Sequence, residues 1–215
     1  MNEAPQWPQN IMLLRQWDRD MVRSILGGFL IEAEAGSSFK QSKNLAYAVH
    51  QDRQREDGEA YINHCLRVVK NTLAIIANRQ TFGVHDEITK WASTAIGLSI
   101  AMSAAIAHDN IEDGKNPHEE KGNLIQIDPR IATIVELLSR QKQENYYEFI
   151  HRVRDPNQYR KENAPIIEER LIYLARVIKA SDIQDNLQNC NGSRADKYRF
   201  ALDVIDPHKE MRRMD

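Results

Sequence analysis

The chain has 215 residues, 41% hydrophobic and 28% charged, with 29 Lys and Arg against 31 Asp and Glu for a formal net charge of -2. That length buries one core, and the near-balance of charge excludes the bulk attraction on which nonspecific nucleic-acid or anionic-membrane binding depends. Two cysteines, Cys65 and Cys190, argue against a disulfide scaffold and suit a reducing cytoplasm, and the first ten residues carry acid, Pro and Trp where a secretion signal is basic and then apolar.

In chain order, the pattern begins with a helix from Gln9 to Glu34 carrying Ile11, Leu14, Trp17, Met21 and Ile25, able to dock on the domain or on a partner copy. A loop from Ala35 to Ser42 leads to a stripe of Leu45, Ala48 and Val49. After a loop from Arg53 to Ala60 comes a second stripe, Ile62, Leu66, Val69 and Leu73. Trp91 to Ala107 is nearly all small or apolar, too short and too diluted by Ser and Thr to span a membrane, and reads as a helix buried in the middle of the domain. Gly114 to Asp128, with its Gly, Pro and mixed charges, is expected to be a mobile loop. Asp128-Pro129 then signals a helix start for Ile131, Ile134, Val135 and Leu138. Beyond a loop from Asp155 to Asn163, Leu171, Leu174, Ala175 and Ile178 form the last clear stripe, followed by a loop from Asn189 to Ser193 and a short basic tail from Met211. No strand is evident. The expected architecture is all-α, a single compact bundle over residues 44–215 with a central buried helix and a helical extension at residues 1–43.

Polar groups interrupt these stripes where apolar residues are expected. His64 lies on the face of Tyr61, Cys65 and Val68; His108 continues the face of Ala101, Ala104 and Ala105, with Asp109 next to it; Asp182 extends the face of Leu171, Ala175 and Ile178 by one turn. A core-facing carboxylate is costly unless paired or bound to a metal. Singly, each is best read as a hydrogen-bonded core residue, with Asp182 paired to a neighbour such as Lys179. Together, two His and two Asp make a mixed nitrogen and oxygen ligand set. On a continuous helix Glu112 lies one turn beyond His108 and Asp113 one turn beyond Asp109, an acidic pair suited to moving protons beside a Lewis acid. His85, His118, His151 and His208 sit in polar surroundings and read as surface residues.

Three ordered pieces carry a resemblance: His50-x4-Arg55-x2-Gly58-Glu59-x-Tyr61-Ile62-x-His64, then Ala107-His108-Asp109-x2-Glu112-Asp113, then Lys179-Ala180-x-Asp182-x3-Asn186. This resembles the HD-domain metal-dependent phosphohydrolases, and within them the hydrolase domain of the RelA/SpoT-type alarmone enzymes. The resemblance implies that His64, His108, Asp109 and Asp182 bind one divalent metal, usually manganese. It implies that Glu112 and Asp113 handle the attacking water and the leaving group, that Arg55 packs on a nucleobase and that Asn186 contacts the sugar. Lys179 could supply charge for phosphate, and His50 has two readings of equal standing, a substrate-side or supporting place in the motif and a hydrogen-bonded core histidine. The chain departs from the family pattern at Arg53, where Gln is usual, at Ala60 and Cys65, where Pro is usual, and at Ile183-Gln184-Asp185, where Arg-Leu-His is usual; the stretch between His64 and His108 is also longer.

The activity so implied is cytoplasmic hydrolysis of the 3'-pyrophosphate of guanosine tetraphosphate or pentaphosphate, part of the stringent response, with a small nucleotide as partner, no nucleic acid and no membrane; a homo-oligomer is a reasonable expectation, with the N-terminal helix free to dock on the domain or on a partner copy. The alternatives are an HD phosphohydrolase acting on another nucleotide, and a non-catalytic helical module that keeps the metal for structure or nucleotide sensing. Retention of Glu112 and Asp113 favours an enzyme.

Overall fold

A computed structural model describes residues 38–81, 87–159, 162 and 164–205. The expected helix from Gln9 to Glu34, the tail from Met211, His85 and His208 lie outside the described residues. The fold is all-α. In order, α1 spans Ser38–His50, α2 Tyr61–Thr81, α3 Glu87–Ala92, α4 Ala95–Ile106, α5 Asn110–Asp113, α6 Pro117–Ile127, α7 Pro129–Leu138, α8 Tyr146–Arg154, α9 Glu169–Leu187 and α10 Gly192–Ile205, with a 3-10 turn at Pro156–Gln158 after α8. Helix α4 packs against α1, α2 and α7, and α9 packs against α2, α7 and α10. The largest apolar cluster fills the space among these helices; a smaller one, built on Phe149, Ile150, Val153, Ile183, Leu202 and Ile205, joins α8, α9 and α10. Among the described residues, no helix is long and apolar enough to cross a membrane.

Local chemistry starts the helices where the sequence signals them. The Asp128 side chain accepts from the Arg130 N–H at 2.8 Å with Pro129 at the first helical position, and Ile131, Ile134, Val135 and Leu138 are all buried. Asn145 and Glu148 cap α8 reciprocally. The stripe Leu171, Leu174, Ala175 and Ile178 is likewise buried along α9.

Three expectations are corrected. Trp91 to Ala107 is two helices, because the Ser93 and Thr94 hydroxyls donate to the carbonyls of Thr89 and Trp91 and the Thr94 oxygen then caps α4 by accepting from the Gly97 N–H. Glycine is required at 97, since a Cβ there would meet the Ala92 backbone at 2.8 Å. Most of Gly114 to Asp128 is helix α6: Asn116 caps it, Pro117 occupies its first turn with Glu119 and Glu120, and fully buried Leu124 anchors it. Pro there starts a helix instead of breaking one. On α1 the buried face is Phe39, Ser42, Ala46 and His50, while Ala48 is exposed and Leu45 and Val49 are half-buried. That face is narrow and partly polar because it lies against α4, which is largely built of small residues. Helix α1 continues across residue 43 without a break.

Candidate metal centre

The expected ligands come from three parts of the chain. Helix α2 carries Tyr61, His64 and Arg67 at successive three-residue steps; α9 carries Lys179, Asp182, Asp185 and Asn186 on one side; His108 and Asp109 occupy the turn between α4 and α5. The close packing of α2, α4 and α9 brings these together. His64, His108 and Asp182 are buried, and one donor atom from each lies within 4.8 Å of the others. His64 Nε2 is 3.3 Å and His108 Nε2 is 3.8 Å from Asp182 Oδ1. Donors bound at about 2.1 Å to one ion stand about 3 Å apart when adjacent and about 4 Å apart when opposite, so the spacing fits a single first-row divalent ion. Among the described residues the buried His108 Nε2 has no hydrogen-bond partner: it is 2.9 Å from Asp109 Oδ2 but not aligned for a bond. Its other nitrogen, Nδ1, is 3.0 Å from the Ala105 carbonyl oxygen, which leaves the Nε2 lone pair as the ligand atom. Two imidazoles, a carboxylate and an unpartnered buried nitrogen fit a divalent metal.

Asp109 stands beside this trio instead of within it. Its Oδ2 accepts from the Tyr61 hydroxyl at 2.5 Å. Burial opposes ionisation of Asp109, yet the neighbouring His108 holds its pKa far below the usual carboxylate range. Burial and the same carboxylate push the Tyr61 phenol well above its ordinary value, so Tyr61 remains a donor. Asp182 is held by the Lys179 ammonium at 2.7 Å and the Asn186 amide at 2.7 Å. Burial works against the charged form of Asp182, but Lys179 and the two histidines outweigh it and hold the carboxyl well below its ordinary value. Burial would also lower the His64 pKa; hydrogen bonds to Asp182 and Asp185 raise it instead to about 9.

The remaining expected residues divide: Lys179 and Asn186 hold Asp182, while Glu112 and Asp113 have partners of their own. Helix α4 ends at Ile106, so His108 and Glu112 do not share one continuous helix as anticipated. Exposed Glu112 accepts from the Arg140 backbone N–H at 3.2 Å, while Asp113 is paired with Arg53. His50 is buried, its two nitrogens without hydrogen-bond partners among the described residues; it lies 3.9 Å from Asp113 and 4.8 Å, ring to ring, from Tyr61. Desolvation lowers its pKa. Rings of His50, Tyr61, His64 and His108 thus follow one another across the site. Lys179 is turned toward Asp182 and stands 5.0 Å over the Phe149 ring. Arg55 donates to Asp185 at 2.9 Å and Asn186 at 3.0 Å. It projects from a loop in which Gly58 adopts a positive φ of 84°, closed by the Arg55 N–H on the Glu59 carbonyl.

Sequence reasoning did not single out Tyr61, Arg67 or Asp185 as site residues. Arg67 bridges Glu59 and Asp185, and Asp185 Oδ2 is 2.7 Å from His64 Nδ1. The signal was helical spacing: Asp185 is three residues beyond Asp182, and Arg67 three beyond His64. No protein-family model and no curated protein matches the chain.

Proposed function

We propose that the protein is a manganese-dependent nucleotide phosphohydrolase that cleaves the 3'-pyrophosphate of a guanosine alarmone. The observation that carries this reading is the convergence of His64, His108 and Asp182, three buried ligands on separate elements, with one imidazole nitrogen left without a partner. The motif order of the sequence supports the phosphohydrolase assignment and, more narrowly, the alarmone. A bound divalent ion supplies charge neutralisation for a phosphoryl oxygen and acidifies a water.

The chain's own groups divide the remaining work. His64, His108 and Asp182 bind the ion, and Tyr61 fixes Asp109 beside His108 as a further carboxylate. Glu112, exposed on α5 and held by the Arg140 N–H, is assigned the proton of the attacking water; Asp113, tethered by Arg53, is assigned the leaving oxygen. Arg55, clamped by Asp185 and Asn186, offers a guanidinium whose plane suits stacking on a base. Lys179 is committed to Asp182, so a substrate phosphate would have to compete with that carboxylate for it.

The test is a panel of nucleotides incubated with manganese and resolved by chromatography. Pyrophosphate released from guanosine tetraphosphate is the expected result. Inorganic phosphate or nucleoside alone would move the substrate to another nucleotide, and no product from any nucleotide would overturn the enzyme. The Lys179–Asp182 pair favours one second reading, a non-catalytic module, which predicts manganese binding without turnover.

A further inference from the structure

We infer that Asp185 is the positioning residue of the metal centre, fixing the His64 ring for metal binding and tying it through Arg67 and Arg55 to the loop that precedes α2. Its carboxylate is almost completely buried, at 1% exposure, and is shared by three side chains. Oδ2 lies 2.7 Å from His64 Nδ1 and 2.9 Å from Arg55, while Oδ1 accepts from Arg67 Nε at 2.6 Å. Arg67 in turn grips both oxygens of Glu59 at 2.5 and 2.8 Å. An Nδ1–H donated to Asp185 leaves Nε2 of the same ring facing Asp182 and His108, the orientation a ligand needs.

The arrangement also explains why a charge is tolerated at this depth. Burial disfavours the Asp185 carboxylate, but the His64 and Arg67 hydrogen bonds lower its pKa to about 2. An amide here would keep one accepting oxygen but lose the charge and the second oxygen that the two guanidinia and the imidazole share. Asp185 stands where the resembled family usually has His, so orientation of His64 by this carboxylate follows from the geometry of this chain. The inference rests on the reading of His64 as a metal ligand, and the experiment separates the two.

The full-length chain is titrated with manganese alone, following the electron paramagnetic resonance signal of the free ion, for wild type, Asp185→Asn, Arg67→Gln and the double variant. Wild type is expected to take up one ion, and Asp185→Asn to bind about 10- to 100-fold more weakly, the usual cost of altering the carboxylate that supports a ligating imidazole. Arg67→Gln, which does not touch the metal ligands, is expected to weaken binding by a smaller factor, and the double variant to be no weaker than Asp185→Asn. At saturating cobalt, the visible bands of Asp185→Asn should differ from wild type, which a purely structural role would not produce. Arg67 is partly exposed, so its variant carries the test should Asp185→Asn fail to fold. Wild-type affinity in Asp185→Asn, or in Arg67→Gln if that is the only folded variant, overturns the positioning role and leaves the metal reading intact. Absence of manganese uptake by wild type overturns both.

Discussion

Two regions of this molecule bury charge, and they do it in opposite ways. On the buried face of α8, Arg152 is 8% exposed and each nitrogen of its guanidinium is answered: Glu144 at 2.7 and 2.9 Å, the Leu137 carbonyl at 3.1 Å and the Ser139 carbonyl at 2.9 Å. Between α2, α4 and α9 the buried groups are not closed off. Among the described residues, His108 Nε2 and, at the end of α1, both nitrogens of His50 lack hydrogen-bond partners, and two imidazoles face one carboxylate at 3.3 and 3.8 Å, longer than good hydrogen bonds. A structural ion pair is complete in itself. A ligand site keeps donors converging on a point that no side chain fills. Burial of polar residues therefore does not distinguish the regions; the number of partners left over does.

The sharpest way to break the contrast is Asp182→Asn, which removes the central carboxylate. Manganese affinity should fall more than about 100-fold, beyond what loss of a supporting partner produces, as measured by equilibrium dialysis. Arg152→Ala should behave in reverse. Leaving Glu144 and two carbonyls without their partner should cost about 3–5 kcal/mol in urea unfolding, with manganese affinity unchanged in the folded fraction. If Arg152→Ala weakened metal binding as Asp182→Asn does, the two regions would not be independent.

A smaller effect lies in pH. Burial resists ionisation of Glu144, but the Arg152 hydrogen bond outweighs it and holds the carboxyl below its ordinary value. A lowered folded-state pKa adds stability that is complete above the unfolded value of about 4.3 and is lost as pH falls through the folded one. The urea midpoint of wild type should therefore drop more steeply between about pH 5 and pH 3 than that of Glu144→Gln. Equal slopes would remove Glu144 from the acid response.

The contrast also bears on what was legible beforehand. The all-α class and the buried faces of α7 and α9 follow from spacing and from caps adjacent in sequence, such as Asp128-Pro129. The face of α1 does not, because α4 selects it from across the bundle, burying Ser42 and His50 in preference to Ala48. Helix α6 was obscured because Pro117 and Gly122 are chain breakers in one context and acceptable at or after a helix start in another. Within the site, His64, His108 and Asp182 stood out as polar residues on apolar stripes. Asp185 did not, since its importance comes from His64, Arg55 and Arg67 arriving from more than a hundred residues away. Lys179 reads from the sequence both as a partner for Asp182 and as a charge for phosphate; the structure shows the first, which the three-residue step between them makes legible.

The most direct measurement is turnover of guanosine tetraphosphate in manganese by wild type beside a Glu112→Gln, Asp113→Asn double variant, with pyrophosphate as the readout. Wild type should release pyrophosphate in a reaction abolished by a chelator, and the double variant should be slower by about 10²–10⁴-fold while still binding manganese. Equal turnover by both proteins, or manganese binding without turnover by either, would contradict the hydrolase.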